Sequence, residues 1–257
     1  MADFPLSLHQ VSIRFGNFIA VDEVSFEIPE GRIVGIAGPN GSGKTTLLRA
    51  MFGAQHVNEG EIKVFDKPID TLRTSEIGRK ISVVSQFENT TDRMRVWDLV
   101  LLGRSPHRRD TQGYSKEDMM IASNSLVEVG MFDARNRYVD TLSGGERQRI
   151  LIAQSLTQQS SCMLLDEPTN HLDVKYQHQI LELIRRVAKT AVIILHDLNL
   201  VSRYCDEAII LSRGRVHCKG NPNEILNTHL INEVYSVNAK EVVDDGVKQF
   251  VFSGNIN

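Results

Sequence analysis

Three stretches of this 257-residue chain hold residue types suited to binding phosphate groups. The first, GPNGSGKT at Gly38–Thr45, has the spacing GxxxxGK[ST] of a P-loop. In such a loop, glycines let backbone N–H groups close around phosphate oxygens, and the N-terminus of the following helix adds partial positive charge. Lys44 would then contact the β- and γ-phosphates, and the Thr45 hydroxyl would bind Mg²⁺. The pattern therefore predicts a nucleotide phosphate site.

The second stretch is the turn Ser143–Glu146, which has the form S-x-x-E of a helix capping box. A well-capped helix start is the simplest interpretation. Capping needs neither of the two glycines between Ser143 and Glu146, and each glycine weakens a helix by up to ~1 kcal/mol. We therefore interpret the glycines as positions where a bulky anion approaches the backbone.

The third stretch, Asp166-Glu167, follows the run CMLL at Cys162–Leu165, which is typical of a buried strand. The carboxyl ends of parallel strands meet at one edge of a sheet, where a P-loop also opens. There Asp166 could hold Mg²⁺ through its water shell, and Glu167 could orient or deprotonate the attacking water. An acid pair alone is common, so its specificity depends on the P-loop upstream.

Two single polar residues also follow predicted strands. His196 comes after the apolar run Ala191–Leu195 and could donate a hydrogen bond to a γ-phosphate oxygen, although a lone histidine at a strand end is more often structural. Gln86 comes after Ile81–Ser85, and by itself it is weak evidence for anything beyond a solvated loop.

The elements around the P-loop fit its function. Arg32–Ala37 (RIVGIA) predicts a buried parallel strand, and Thr45–Met51 predicts the start of a helix. Because the motif requires a strand before it and a helix after it, a chance glycine-rich turn is disfavoured. Upstream, Leu6–Phe15 and Phe18–Ile28 alternate apolar and polar residues, which predicts two strands joined at Gly16-Asn17.

A helical insertion is predicted after Gln86. Val96–Gly103 indicates one helix, and a charged loop is expected over Arg104–Gly113. The basic part of that loop, Ser105–Arg109, could dock a partner, but a solvated loop is favoured. Ser115 and Asp118 have capping-box form ahead of a second helix. Its predicted apolar face comprises Met119, Ala122, Leu126 and Val129.

The rest of the chain continues as alternating elements. Val174–Ala188 predicts a helix, and a hairpin is predicted around Arg213-Gly214. Pro222–Leu226 and Leu230–Val234 predict short helices. Val237–Phe252 predicts a strand-rich tail with a turn at Asp244-Asp245-Gly246.

Composition sets outer bounds on the function. Hydrophobic residues make up 41% and charged residues 24%, an ordinary soluble profile, and a net charge of −3 argues against a general nucleic-acid-binding surface. We expect no signal peptide, because the N-terminus MADFPLSLHQ lacks a basic stretch followed by an apolar region. We expect no membrane span, because no apolar run approaches about 18 residues. Cys162, Cys205 and Cys218 form no CxxC pair, so we expect reduced packing cysteines in a cytosolic protein.

The chain resembles the ATP-binding subunits of ABC transporters in four segments and in their order along the sequence. These segments are Gly38–Thr45, Leu142–Gln148, Leu164–Glu167 and His196. The resemblance covers nearly the whole chain. LSGGERQR, which begins at Leu142, is similar to the signature sequence that separates this family from other P-loop ATPases.

The resemblance implies an α/β fold of the P-loop NTPase (RecA-like) class. A mainly parallel sheet core would carry an N-terminal antiparallel β subdomain and an inserted α-helical subdomain. One ABC ATP-binding domain would span 1–257, with 1–86 and 160–220 as the core, 87–159 as the helical subdomain and 221–257 as a C-terminal extension.

The resemblance also implies residue roles. Phe15 would stack on adenine, Gln86 would be the Q-loop residue, Glu167 the catalytic base and His196 the switch histidine, and Asn170–Asp173 would be the D-loop. Thr45, Gln86 and Asp166 would bind Mg²⁺. ATP would be held by Gly38, Pro39, Asn40, Gly41, Ser42, Gly43, Lys44, Thr45 and Thr46, of which Lys44 also acts in catalysis. In a head-to-tail dimer, the second copy would contribute Ser143, Gly144, Gly145, Glu146 and Asp173.

Two positions depart from the family pattern. Phe15 stands where the family often has tyrosine, which keeps the stacking but loses a hydroxyl contact. Asn170–Asp173 reads NHLD where SALD is commoner, so the role of Asp173 is better supported than those of Asn170 and His171.

Within the family, LVLLGRSP, PTNHLD and HDLNLVSRYCDE resemble importers for iron-siderophore, haem or cobalamin. The implied partners are a second copy of the chain, two membrane-spanning permease subunits and, indirectly, a substrate-binding protein, with no nucleic acid. The implied location is peripheral, at the cytoplasmic face of the inner membrane. The alternatives are an importer for molybdate-like oxyanions, a soluble ABC ATPase of translation or repair, and a non-catalytic ATP-binding regulator.

Overall fold

The computed structural model describes residues 4–85, 93–108 and 113–253. The chain divides into two compact units. The first unit combines Met1–Thr71 with Val192–Asn257, and the second comprises Leu72–Ala191. The subdomain boundaries expected from the sequence stay a prediction.

An antiparallel sheet in the first unit is built from the N-terminal residues. Its strands, in the order β2-β1-β4-β5, are β1 (Leu6–Phe15), β2 (Phe18–Ile28), β4 (Glu59–Val64) and β5 (Lys67–Pro68). The predicted hairpin at Gly16-Asn17 is confirmed, because Phe15 pairs with Phe18 across it. Apart from Phe15 at its end, the apolar side chains of β1 are buried, and a shift in the strand register between Leu8 and Val11 interrupts the predicted period of two.

The first unit also contains strands of a second, largely parallel sheet. They are, in the order β10-β9-β3-β8, β3 (Ile33–Ala37), β8 (Ala191–Ile194), β9 (Glu207–Ser212) and β10 (Arg215–Gly220). β3 pairs with β9 in parallel, and the β9–β10 hairpin turns at Arg213-Gly214 as predicted. Every residue of β3 and β8 is buried, which explains their unbroken apolar runs.

The remaining elements of the first unit surround these strands. They are α1 (Lys44–Met51), α7 (Leu198–Tyr204), α8 (Pro222–Ile225), α9 (Thr228–Tyr235), β11 (Asn238–Asp244) and β12 (Val247–Ser253). β11 and β12 form the predicted C-terminal hairpin, with Asp244 pairing with Val247 beside the turn. We call Asn238–Ser253 the C-terminal hairpin below.

The second unit combines a parallel strand pair with helices. Its elements are α2 (Thr74–Gly78), β6 (Ile81–Val84), α3 (Val96–Leu101), α4 (Lys116–Glu128), α5 (Gly144–Thr157), β7 (Cys162–Asp166) and α6 (Val174–Val187). β6 and β7 pair in parallel. The predicted fold class, an α/β fold with mainly parallel core strands, antiparallel β-strands and a helical segment, is confirmed. Within the described residues, no helix is both long and apolar enough to cross a bilayer.

Two predictions in the helical segment are wrong. Arg104 was expected at the start of a charged loop, but it is only 7% exposed and lies in a 3-10 helix, Leu102–His107. Met119 was expected on the buried face of α4, but it is 45% exposed, and Asp118 is buried on that face instead. One interaction explains both errors, because Arg104 Nε donates to Asp118 Oδ1 at 2.8 Å. A buried ion pair needs further partners, and Arg104 Nη1 also donates to the carbonyl of Thr157.

The Asp118 carboxylate is strongly stabilised in its charged form. Burial acts to raise the pKa of Asp118, but hydrogen bonds from Arg104 and from the Ser115 N–H and hydroxyl lower it to about 2, from an ordinary 3.8. A depressed carboxyl pKa contributes stability that is present above the unfolded-state pKa and is lost as the pH falls through the folded-state pKa. The window for this contribution is therefore pH 4 to 2.

Asp118→Asn should remove that pH-dependent stability. We expect the variant to lose about 2–4 kcal/mol of unfolding free energy near neutral pH, because Arg104 then lacks its buried charged partner. As the pH falls from about 4 to 2, the stability of the variant should fall less than that of wild type. Chemical denaturation across this pH range measures it, with exposed Asp133→Asn as the matched control. Equal pH dependence in wild type and Asp118→Asn would contradict the assignment.

Candidate active site

The P-loop joins the end of β3 to the start of α1. The helix begins at Lys44, one residue earlier than predicted, with Gly43 as its N-cap at φ +95°. A Cβ atom on Gly43 would lie 2.3 Å from the Ala20 carbonyl oxygen, and one on Gly38 would lie 2.2 Å from the Leu211 carbonyl oxygen. Neither position can accept a side chain, so the backbone of β2 and β9 fixes the shape of the loop.

Two buried polar groups line this loop. Lys44 is nearly fully buried, and its Nζ donates to the carbonyls of Gly38 and Pro39, each at 2.9 Å. The Ser42 hydroxyl is also buried, and no partner for it occurs among the described residues. An unsatisfied buried hydroxyl costs about 1–3 kcal/mol, which a bound oxyanion or water would recover. The loop therefore fits a phosphate group.

Aromatic residues at the tip of the β1–β2 hairpin are exposed. Phe15, the predicted adenine-stacking residue, is 50% exposed, and its cross-strand partner Phe18 is 62% exposed. Phe18 was not among the predicted site residues, although its position directly across the predicted turn was a usable signal. Both rings are available to stack on a planar base.

His196 lies near the P-loop in the first unit. Leu195 donates its N–H to the Ile36 carbonyl at 3.1 Å, which ties the end of β8 to the end of β3. The P-loop follows β3 and His196 follows Leu195, so both emerge at the same edge of the sheet. His196 is exposed, and the next residue, Asp197, caps α7. The expected proximity of strand-end residues is thus observed within this unit.

The acidic pair in the second unit ends β7. Asp166 is its last residue, and both Asp166 and Glu167 are half-buried. Glu167 has φ +51°, a left-handed conformation that costs a non-glycine residue about 1–3 kcal/mol. Asn170 Nδ2 donates to Glu167 Oε2 at 3.2 Å, and the Asn170 N–H donates to the Glu167 carbonyl. The turn therefore orients the Glu167 carboxylate, a role for Asn170 that the sequence analysis did not find.

The signature turn is a capping box, as predicted. Ser143 donates its N–H and its hydroxyl to Glu146 Oε2 at 2.8 and 2.9 Å, and the Glu146 N–H bonds back to the hydroxyl. Arg137 pairs with Glu146 Oε1 at 3.1 Å and donates to the Thr141 carbonyl. The Ser143 N–H is the main cause that lowers the pKa of Glu146, and burial acts against it. The hydroxyl of Ser143 and the charge of Arg137 lower this pKa further.

The first turn of α6, which follows the D-loop, packs on the signature turn within the second unit. Asp173 caps α6 by accepting from the Tyr176 N–H at 3.0 Å. The Tyr176 ring lies against Gly145, where an added Cβ would be 2.9 Å from the ring. Gly145 is buried, whereas Ser143, Gly144 and Asp173 are exposed. Packing against Tyr176 therefore explains why residue 145 is a glycine, in addition to the predicted approach of an anion.

The predicted site residues thus form two groups. The first unit contains the P-loop, Phe15 and His196. The second contains Asp166, Glu167, the D-loop and the signature turn. Gln86 lies outside the described residues.

Comparison with known proteins identifies the class. The sequence profile of the ABC transporter family matches residues 21–170. The ferric enterobactin transport ATP-binding protein FepC of Escherichia coli (strain K12) is 35% identical over 242 residues, which cover 93% of this chain and 89% of FepC. Other relatives, 31–37% identical, are named as ATP-binding proteins of siderophore transport or of petrobactin, iron-hydroxamate or cobalamin import.

Solved structures agree with the sequence comparison. A metal-chelate-type ABC transporter in an inward-facing conformation matches with a TM-score of 0.86 and 25% identity, covering 99% of this chain and 98% of the other. A dimeric bacterial ABC transporter cassette matches with a TM-score of 0.72 and 28% identity, covering 84% and 98%. This chain belongs to the ABC transporter family. It is an ATP-binding ATPase of that family.

Gly145→Ala tests the packing of the signature turn. Alanine favours a helix over glycine by up to ~1 kcal/mol, but the clash with Tyr176 should reverse the sign and destabilise the protein by about 1 kcal/mol. In a Tyr176→Ala background, Gly145→Ala should instead be neutral or stabilising. Chemical unfolding of the four proteins measures this cycle.

Gly144→Ala is the matched control for this cycle, because its Cβ would meet only Leu172 Cδ2, at 3.4 Å. Gly144→Ala should be tolerated in both backgrounds. A Gly145→Ala protein as stable as Gly144→Ala would show that Tyr176 does not constrain this position.

Proposed function

We propose that this chain hydrolyses ATP to drive import of a metal chelate of the iron-siderophore, haem or cobalamin type through a membrane ABC transporter. The relatives support this ligand class, since those compared above import such chelates. The observation that supports ATP hydrolysis is the P-loop, a cradle defined by the backbone. It holds a buried lysine and a Ser42 hydroxyl that has no hydrogen-bond partner in the described part of the chain.

ATP binding involves both the phosphate loop and an aromatic surface. Gly38–Thr46 surround the phosphates, and Lys44 exchanges its loop carbonyls for the β- and γ-phosphate oxygens. That exchange replaces neutral acceptors by charged ones, which adds ion-pair attraction to hydrogen bonds that the lysine charge already strengthens. Phe15 stacks on the adenine, and the neighbouring Phe18 widens the apolar surface available to it.

The donors at hand fit Mg²⁺, a hard cation that prefers oxygen ligands. The Thr45 hydroxyl, the Asp166 carboxylate and the Gln86 amide oxygen would hold it with the ATP phosphates. Bound there, Mg²⁺ supplies charge neutralisation for the phosphate oxygens.

Glu167 acts as the base that takes a proton from the attacking water. Phosphoryl transfer needs positioning more than covalent chemistry, so the orientation of this carboxylate is decisive. The strained backbone at Glu167 and the Asn170 hydrogen bond restrict where its Oε atoms lie. His196 donates to the γ-phosphate and stabilises the charge that develops on it.

Glu167→Gln should bind ATP and hydrolyse it at least about 100-fold more slowly, a loss of ~2.7 kcal/mol of transition-state stabilisation. Glutamine keeps an oxygen for Asn170 but cannot accept the proton. Phosphate release and binding of a fluorescent ATP analogue measure the two effects. Exposed Glu182→Gln on α6 is the control, and near-normal turnover of Glu167→Gln would rule out its role as base.

A second copy of the chain completes each site. In a head-to-tail dimer, residues of one chain close over the ATP that its partner holds. These residues are Ser143, Gly144, Gly145, Glu146 and Asp173. The solved dimeric cassette supports such an arrangement. So does the exposure of Ser143, Gly144 and Asp173, which leaves them accessible to a second chain.

Two membrane-spanning permease subunits bind this dimer at the cytoplasmic face of the membrane, and a substrate-binding protein delivers the chelate to them. No helix of the described residues spans a bilayer, so transport requires subunits that do. The ligand is selected by those subunits, and this chain supplies the ATP hydrolysis.

Purification of the tagged chain from membranes of its source cells should recover two apolar, multi-span subunits in equal amounts with it. The substrate-binding protein that delivers the chelate to these subunits should bind one of three ligands when it is assayed with iron-siderophore, haem and cobalamin. Recovery with ribosomes or DNA would indicate a non-transport ATPase instead, and a receptor specific for molybdate would correct the ligand class.

A further inference from the structure

The C-terminal hairpin docks on the first turn of α7 through one side chain. Asn199 Nδ2 donates to the Phe250 carbonyl at 3.1 Å, and Asn199 Oδ1 accepts from the Phe250 N–H at 2.7 Å. A single amide thereby satisfies both main-chain groups of Phe250, as a neighbouring strand would. The Phe250 side chain is only 3% exposed, so this contact is part of the packed structure.

Other contacts hold the hairpin in the same position. Arg203, at the end of α7, pairs with Asp244 on β11. The Lys248 N–H donates to Asn223 Oδ1 on α8 at 3.1 Å. The hairpin is therefore fixed at both ends of α7 and at α8, and the Asn199 contact lies at the end of α7 that follows His196.

His196 lies between two fixed points. On one side, the Leu195 N–H is bonded to β3 through the Ile36 carbonyl. On the other side, Asn199 is bonded to the hairpin, and its own N–H donates to the Asp197 carboxylate at 2.8 Å. Only three residues, His196–Leu198, separate these points, so a shift of Asn199 must change the backbone at His196.

We propose that the C-terminal hairpin, acting through Asn199, is a positioning element for His196 in ATP hydrolysis. This inference rests on the proposed role of His196 at the γ-phosphate. A histidine that donates to a developing charge must be held to within fractions of an ångström, and misplacement by 1 Å can cost about 100-fold in rate. The hairpin supplies that restraint from a segment more than 40 residues away in sequence.

Asn199→Ala tests the proposal. The kcat for MgATP should fall between about threefold and 30-fold, while KM and the affinity for a fluorescent ATP analogue stay within about twofold. Hydrogen exchange at the hairpin amides, including that of Phe250, should accelerate. Asn199→Asp keeps the acceptor but loses the donor, so its kcat should fall by less. This variant keeps the proposal testable if the alanine variant misfolds.

Lys240→Ala is the matched control on the same hairpin. Lys240 pairs with Val251 on the face opposite Phe250, and both are exposed. This change should leave kcat and the hairpin exchange rates unaltered. A fall in kcat equal to that of Asn199→Ala would overturn the proposal, because it would show an effect of the hairpin that does not depend on the Asn199 contact.

The decisive comparison is between His196→Ala and the double variant with Asn199→Ala. If Asn199 acts through His196, its replacement should change kcat by less than about twofold once His196 is gone. Additive losses would overturn the inference. If His196→Ala is impaired but Asn199→Ala is not, this inference is overturned and the proposed role of His196 stands. If His196→Ala is fully active, the proposed role of His196 is overturned as well.

Discussion

One main-chain hydrogen bond, from the Leu195 N–H to the Ile36 carbonyl, fixes the geometry of the first unit. It joins the ends of β3 and β8, two strands whose residues are all buried. A fully buried strand can place polar groups only after its end, because inside the sheet they would lose their hydration. The P-loop and His196 therefore emerge together, where a phosphate chain can contact both.

The second unit uses side-chain hydrogen bonds to shape its turns. Ser143 and Glu146 close the signature turn, Arg137 holds it from outside the motif, and Asn170 orients the Glu167 carboxylate. These turns are only partly packed, through contacts such as that of Gly145 with Tyr176, and local polar contacts define the rest of their shape. The left-handed backbone at Glu167 fits this description, because strain persists only where surrounding bonds over-determine a conformation.

In the C-terminal hairpin, side-chain hydrogen bonds hold a segment that is distant in sequence. An amide on α7 pairs with one residue of β12 in the way a strand would, and this contact fixes the helix that follows His196. A tail that packs on a catalytic loop can influence turnover without touching nucleotide.

The sequence by itself determined the P-loop, the capping boxes at Ser115 and Ser143, the hairpin turns and the family. The capping boxes and hairpin turns depend on contacts within about four residues or on turn preferences, which the order of residues reveals directly. The P-loop and the family are recognised from the residue types and spacing of their motifs. Only the tertiary structure decided that Arg104 is buried, that Met119 is exposed, and that Asn199 bonds to Phe250. In each case the deciding partner lies well away in sequence, so burial and pairing depend on which elements pack together and not on local pattern.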